Sequence, residues 1–221
     1  MVIGRTPNFA WSVTSGYDDQ IDTLVVELHP EDRHKYKWNG EWHEMETESV
    51  THKSSLRGAI VDGSVEYRVV EQEVARVVEE IDGETVVMPV VAWNKDERVA
   101  WCQRSTTRYD EADAAFQWAR LGRQNDLDEF EDCISDFPFT FNFHYADEDD
   151  IAFIHTGKVP ERNPDIDSRL PAPAEMHEWR DVNVGTELGA HIRNPSRGYV
   201  ANWNNAPVAG WNAGDFEQRW G

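Results

Sequence analysis

The feature that most restricts the fold is a change in hydrophobic spacing partway along the chain. Apolar residues recur at helical spacing from Asp110 to about Ile134, and the polar stretch 122–125 interrupts this pattern. Asp110 and Asp126 are candidate N-caps, so two helices are predicted here. On either side, short β-branched and aromatic runs are typical of strands. Together these patterns predict an α+β fold in which strands dominate.

Two dipeptides predict tight hairpins between strands. Asn39-Gly40 lies between aromatic residues, and Asp82-Gly83 separates the runs Val74–Ile81 and Thr85–Val91. Asn-Gly and Asp-Gly favour the left-handed backbone of a type I′ turn. Further strands are predicted at residues 23–28, 99–102, 140–145 and 151–155, with a long loop region from Gly157 to about Pro195.

The chain is strongly acidic. Its 221 residues include 42 Asp and Glu against 21 Lys and Arg, a formal net charge of 21 − 42 = −21. This surplus argues against DNA or RNA as a partner, because no basic face is available to neutralise phosphates. Dispersed acids repel one another unless molar salt screens them. The composition therefore favours a halophilic source, with an acidic mesophilic protein or bound cations as the alternatives.

Several common signals are missing from the sequence. No apolar run approaches the roughly 18–20 residues that cross a bilayer, so no membrane span is predicted. The first residues lack the layout of a signal peptide. Cys102 and Cys133 form no metal-type pair, and the sequence leaves open whether they are free or bridged. His43, His52 and His144 lack ligand spacing, which favours solvent or core positions.

Two polar segments stand out as candidate functional sites. In Asn8–Asp22, a Thr-Ser-Gly turn precedes an Asp-x-x-Asp pair, which places backbone N–H groups near carboxylate oxygens. In Gly198–Pro207, three Asn residues surround a Trp, a composition too polar for an ordinary strand. A capped turn and a surface loop are the structural alternatives for these segments.

The same segments carry a resemblance to a known family. The order Ala10-Trp11-x-x-Thr14-x-Gly16-x-x-Asp19-x-x-Asp22 and the segment Gly198–Pro207 resemble the catalytic chain of the penicillin acylase (penicillin amidase) family of N-terminal-nucleophile hydrolases. Between them lie three further matching segments in the family's order, Asn142–Asp147, His155–Arg162 and Arg169–Pro171. The resemblance extends from about Gly4 to Trp220 and is loose between Leu56 and Asp136.

The resemblance implies an αββα sandwich and a hydrolase of linear amides. In the family, a Ser that begins the catalytic chain attacks the amide, and its own α-amine is the base. An α-amine titrates near 7.7–8.0, which suits proton transfer near neutral pH. The oxyanion donors would be the backbone N–H of Ser15, where the family usually has Ala, and the side-chain amide of Asn204.

The resemblance also implies an acyl pocket and a structural calcium site. Ile3, Tyr17, Trp118 and Phe141 fall on pocket-lining positions, although core packing explains Trp118 and Phe141 equally well. The calcium ligands would be hard oxygen donors, which Ca²⁺ prefers. They are the side chains of Asp19, Asp22 and Asp215 and the carbonyls of Ile21 and Ser168. No organic cofactor is expected.

The position of the nucleophile separates this sequence from the family pattern. About ten residues precede Trp11, whereas the family places its Ser several dozen residues earlier, and Met1 lacks a hydroxyl. The sequence is therefore interpreted as a single partial domain over residues 1–221, incomplete at both ends and inactive alone. Its expected partners are a small amide substrate and the remainder of the acylase. A non-catalytic calcium-binding domain or truncated pseudo-enzyme is the alternative, and location stays open although full-length relatives are commonly exported.

Overall fold

The computed structural model describes residues 3–61, 64–176, 178–209 and 211, with side chains left out at 54–61, 64–67, 183, 185 and 186. The chain divides into two compact units. The first contains residues 1–22, 105–170 and 178–221, and the second contains residues 23–104 and 171–177.

The first unit is built on a five-stranded sheet with the order β1-β2-β10-β11-β15. Every neighbouring pair in it is antiparallel. A separate antiparallel pair, β12 and β14, belongs to the same unit. The strands of this unit are β1 (Ile3–Arg5), β2 (Ala10–Ser15), β10 (Phe141–Ala146), β11 (Ile151–Thr156), β12 (Lys158–Arg162), β14 (Trp179–Asn183) and β15 (His191–Arg193).

The helices of this unit include the two that the spacing predicts between Asp110 and Ile134. They are α1 (Glu111–Arg120), a 3₁₀ turn (Leu121–Arg123), α2 (Leu127–Ile134) and the short α3 (Val184–Glu187). Asp126 caps α2 by accepting the Glu129 N–H at 2.9 Å, which satisfies a backbone donor at the helix start. Asp110 precedes α1 without capping it, because its carboxylate pairs with Lys158.

One face of the five-stranded sheet packs against the helices through an aromatic core. Its buried members are Phe9, Ala114, Leu121, Leu127, Phe130, Ile134, Phe137, Phe143, Tyr145, Ala152 and Ile154. On β10 and β11 these residues alternate with Asn142 and His155, because successive strand residues point to opposite faces. Asn142 and His155 are cross-strand partners, so they share the face opposite the helices.

The second unit is built largely on long strands, whose described pairs are antiparallel except for one short parallel pair. Its six-stranded sheet has the order β13-β3-β9-β8-β7-β6, and β4 and β5 form a separate hairpin. The strands are β3 (Ile21–Glu27), β4 (Lys35–Trp38), β5 (Glu41–Glu44), β6 (Glu46–Val61), β7 (Ser64–Ile81), β8 (Glu84–Asn94), β9 (Val99–Ser105) and β13 (Ala172–Pro173). Both predicted turns have left-handed backbone: φ is 48° and 86° at Asn39-Gly40 and 54° and 85° at Asp82-Gly83.

The region 157–195, predicted as a loop, contains regular structure. It holds the strands β12 to β15, two short helical segments and turns, so the loop prediction was wrong in part. Its strands are short and rich in polar residues, so they show no clear hydrophobic pattern in the sequence.

Cys102 and Cys133 are both free, and burial raises the pKa of the Cys102 thiol to about 12. Within the described part of the chain, no helix is long and apolar enough to span a membrane.

His144 on β10 gives the first unit a predictable response to acid. Burial disfavours the imidazolium and lowers the pKa of His144 below its ordinary value. As pH falls below about 6.5, the unfolded chain therefore takes up a proton that the folded chain resists, and the free energy of unfolding decreases. Thermal melts between pH 7.5 and 5.5 should show a smaller loss of stability for His144→Gln than for the wild type.

The matched control is His191→Gln, because His191 is exposed on β15 of the same sheet. This control should keep the wild-type dependence on pH. Equal slopes for the wild type and His144→Gln would show that His144 does not carry the effect.

Candidate active site

The backbone N–H of Ser15 is available because of its place at the end of β2. The Gly16 N–H donates to the Thr140 carbonyl at 3.0 Å, toward β10. Since successive N–H groups of a strand point in opposite directions, the Ser15 N–H points to the other edge of β2. Among the described residues, the pairing of β2 with β1 ends at Ile3 and Ser12.

The side chain of Asn204 contacts the Ser15 N–H group. Its side-chain Oδ1 accepts the Ser15 N–H at 3.0 Å, although the two residues are 189 positions apart. Asn204 has φ = 69°, a left-handed conformation that Asn adopts more readily than most residues. The structure thus brings together the two donors that the family resemblance pairs.

Two further Asn side chains hold this contact in place. The Oδ1 atom of Asn202 accepts hydrogen bonds from the Thr14 hydroxyl at 2.6 Å and from the Asn204 N–H at 2.9 Å. The Nδ2 group of Asn142 donates to the Ser15 carbonyl at 2.9 Å. It also lies 3.2 Å from both Thr14 Oγ1 and Asn202 Oδ1. The Asn142 carboxamide therefore bridges the strand that carries Ser15 and the loop that carries Asn204.

A buried histidine links Asn142 to a carboxylate. His155 Nδ1 lies 2.6 Å from Asn142 Oδ1, and Nε2 lies 2.6 Å from Asp18 Oδ2. The other oxygen of Asp18 accepts the Trp211 indole N–H at 2.6 Å. The side chains of His155 and Asp18 are 0% and 1% exposed, so water cannot replace these partners. A buried charge of this kind persists only when it is paired and hydrogen-bonded.

The segment that follows Ser15 is fixed at two points. A Cβ atom on Gly16 would lie 2.8 Å from His155 Cε1 and 2.9 Å from the Thr140 carbonyl carbon. Glycine is therefore required for the close approach of this backbone to the histidine. Further along, the Gln20 amide donates to the carbonyls of Pro138 and Lys158, at 2.7 Å each.

Two of the four pocket residues implied by the family contact each other in the aromatic core. Trp118 and Phe141 contact each other edge to face, with ring centroids 5.5 Å apart, at the border of the aromatic core. Phe141 is the cross-strand partner of Ser15. Ile3 is 66% exposed on β1, and Tyr17 follows Gly16 with a left-handed backbone, φ = 57°.

The residues implied as calcium ligands are brought together in part. Arg162 binds the Oδ2 atoms of Asp19 and Asp22 at 2.8 and 2.7 Å, and these carboxylates are 4% and 12% exposed. Ile21 lies between them, and Ser168 lies in the turn closed by the Leu170 N–H and the Asp167 carbonyl. Asp215 lies outside the described residues. Among the residues that the structure describes, no group of three or more His, Cys, Asp or Glu is placed to hold a metal.

Sequence reasoning assigned no role to Asn142, His155 and Asp18. A signal was present, since Asn142 and His155 each interrupt an aromatic or aliphatic run at a position that alternates with core residues. Polar residues at such positions usually face solvent, however, and their burial became evident only from the packing.

Comparison with solved structures identifies the fold. The chain superimposes on a thermostable penicillin G acylase from Alcaligenes faecalis with a TM-score of 0.78 and 24% sequence identity. The match covers 97% of this chain and 36% of that one. The described α+β arrangement is thus the fold of about a third of that acylase chain.

The family follows from the sequence. The penicillin amidase family profile matches residues 1–221, and the chain belongs to this family. It is similar to penicillin G acylase from Escherichia coli, with 26% identity over 226 residues. That alignment covers 100% of this chain and 24% of the relative, so the chain spans about a quarter of the relative's length.

The close approach at Gly16 generates a prediction about stability. The Gly16→Ala variant must displace the His155 ring or the Thr140 backbone, and overpacking of this kind costs about 1–3 kcal/mol. Its melting temperature should fall below that of the wild type.

Gly122→Ala is the matched control, because its added Cβ would lie 3.5 Å from the Trp11 ring, an ordinary contact. The free energy of unfolding of the control should lie within about 0.5 kcal/mol of the wild-type value, as is usual for surface substitutions. A Gly16→Ala protein as stable as this control would contradict the packing described for His155.

Proposed function

We propose that this chain is the part of a linear-amide hydrolase that stabilises the oxyanion formed during acyl transfer. The observation that supports the proposal is the 3.0 Å contact between the Ser15 N–H and the Asn204 carboxamide. A carbonyl oxygen that becomes negatively charged could replace the carboxamide oxygen as the acceptor of the Ser15 N–H. A half turn of the Asn204 carboxamide would then direct its Nδ2 donor to the same oxygen.

The reaction would use a nucleophile from outside residues 1–221. A Ser hydroxyl would lose its proton to the adjacent α-amine and attack the amide carbon, whose C=O electrons move onto the oxygen. Collapse of this intermediate would expel the amine, which takes the proton, and water would then release the acid. The role of Ser15 and Asn204 is to hold the oxyanion, and each such donor is typically worth about 3–4 kcal/mol.

The neighbouring aromatic residues support an apolar acyl group as substrate. Phe141 lies opposite Ser15 on β10 and contacts Trp118, so an acyl chain leaving the oxyanion position would meet aromatic rings. Suitable substrates are the acyl side chain of a β-lactam, an acyl-homoserine lactone or a similar linear amide. Ile3 and Tyr17 would line the outer part of such a pocket.

The proposal predicts the effect of removing the carboxamide donor. In the complete polypeptide that carries this chain, Asn204→Ala should lower kcat on a phenylacetyl or long-chain acyl anilide by about 100- to 1,000-fold. Residues 1–221 alone should give no turnover of the same anilides when the assay is run at high salt. The matched control is Asn125→Ala, an exposed Asn whose amide contacts Glu129 before α2, and it should retain wild-type kcat.

Three results would contradict parts of the hydrolase proposal. Turnover by residues 1–221 alone would show that the nucleophile lies within this chain. Wild-type activity in Asn204→Ala would show that this carboxamide does not hold an oxyanion. A complete polypeptide with no turnover on any acyl anilide would favour the alternative of a non-catalytic domain.

We also propose that Asp19 and Asp22, with the carbonyls of Ile21 and Ser168 and the side chain of Asp215, hold a structural calcium ion. The two carboxylates carry a charge of −2 against +1 for Arg162, which binds the Oδ2 atom of each. Carboxylate and carbonyl oxygens are hard donors suited to Ca²⁺. Bound calcium would act by tying these segments together.

The calcium proposal predicts a stability response. Calcium should raise the melting temperature of the wild-type chain, EGTA should reverse the rise, and Asp22→Asn should reduce it. The control is Asp128→Asn, because Asp128 also pairs with an arginine, Arg193, in an exposed position. A melting temperature that does not respond to calcium would show that Arg162 alone balances the carboxylates.

A further inference from the structure

We propose that Asn142 and His155 are positioning residues that set the geometry of the oxyanion donors, and that Asp18 fixes the orientation of the His155 ring. This inference rests on the proposed function of Ser15 and Asn204. None of the three side chains touches the reacting atoms in that mechanism, so their contribution would pass through the backbone of Ser15 and the loop at Asn202.

The acceptors that surround Asn142 fix the orientation of its carboxamide. Its Nδ2 group faces three acceptors: the Ser15 carbonyl, Thr14 Oγ1 and Asn202 Oδ1. The opposite end of the carboxamide is therefore Oδ1, an acceptor, and the His155 Nδ1 that lies 2.6 Å away must carry a hydrogen. Each group in this chain of contacts thus has one orientation only.

This orientation matters for the Ser15 N–H. The Ser15 carbonyl and N–H belong to the peptide planes on either side of its Cα, and Asn142 holds the carbonyl at 2.9 Å. The direction of the N–H would follow from that restraint together with the ladder on β10. Asn142 also holds Asn202, whose Oδ1 accepts the Asn204 N–H. A single buried carboxamide therefore restrains both donors.

The position of His155 explains why it is a histidine. Its two ring nitrogens span the gap between Asn142 and Asp18, at 2.6 Å on each side, and the ring stands edge to face with Trp211, with centroids 5.4 Å apart. An apolar side chain here would leave a buried carboxylate and a buried amide oxygen without partners, which is costly. Asp18 and Trp211 thus lock the ring in place for Asn142.

The first experiment needs no enzymatic activity. In the ¹⁵N-labelled chain, hydrogen exchange of the Ser15 amide should be slow in the wild type and clearly faster in Asn142→Ala and His155→Leu. His155→Asn should lie in between, since an Asn side chain can place its Nδ2 donor where the imidazole has Nδ1. Exchange of the Phe130 amide, bonded to the Asp126 carbonyl within α2, should stay slow in every variant and report an intact fold.

The second experiment measures hydrolysis by the complete polypeptide. Asn142→Ala and His155→Leu should lower kcat by about 10- to 100-fold, less than the roughly 100- to 1,000-fold loss from removing a donor outright, and leave KM unchanged. The control is Thr156→Val on β11, next to His155. It removes hydrogen bonds from the Thr156 hydroxyl to the Phe139 and Phe141 carbonyls, at 3.0 and 3.4 Å, that involve neither Asn142 nor His155, and it should lower stability without lowering kcat.

The outcomes separate this inference from the proposed function. If the Ser15 amide exchanges at the wild-type rate in Asn142→Ala and His155→Leu, the positioning role is wrong, whatever the activity. If kcat falls in Thr156→Val as much as in His155→Leu, the losses reflect stability, and the inference is again overturned. If the wild type hydrolyses no acyl amide, the proposed function fails, while the exchange data still decide whether Asn142 restrains Ser15.

Discussion

The polar network of the first unit depends on the buried carboxamide of Asn142, which contacts both strand β2 and the Gly198–Pro207 loop. The Ser15 N–H points to the edge of β2 away from β10, beyond the described pairing of Ile3 with Ser12. The Gly198–Pro207 loop supplies Asn204 there, and Asn142 joins that loop to the strand. Because an unpaired polar group is expensive in a buried setting, the network persists only when all of its members are present.

Strand alternation allows one sheet to serve two purposes. On β10, Phe141, Phe143 and Tyr145 pack toward the helices, while Asn142 and His144 face the other side. The aromatic face supplies the apolar burial that stabilises the sheet. That rigid support fixes the polar face, where small errors in the direction of a donor matter most. A shift of register by one residue would exchange the two faces, so the aromatic core also specifies the position of the polar network.

The sequence predicted the local structure better than it predicted the network. Asn39-Gly40, Asp82-Gly83 and the helix start at Asp126 are determined by nearest neighbours, and the structure confirms them. The short polar strands β12 to β15 were missed because long-range pairing, and not local preference, forms them. Ser15 and Asn204 were paired through family resemblance, since no residue-level rule joins positions 189 apart. Asp18 stood out no more than any other acid in a chain with 42.

The acidic segment at 18–22 shows how such a chain can bury negative charge. Asp18 contacts His155 and Trp211, whereas Asp19 and Asp22 share Arg162. The donors to Asp18 are thus different from the donor to its neighbours. Burying a carboxylate costs free energy unless donors of this kind surround it. This segment begins three residues after Ser15, and the chain between Ser15 and Asp22 is held at Gly16 and Gln20. A cation at Asp19 and Asp22 would therefore stiffen the same stretch of chain that Asp18 anchors to His155. The donors that balance the charge of Asp18, Asp19 and Asp22 therefore also restrain the backbone that follows Ser15.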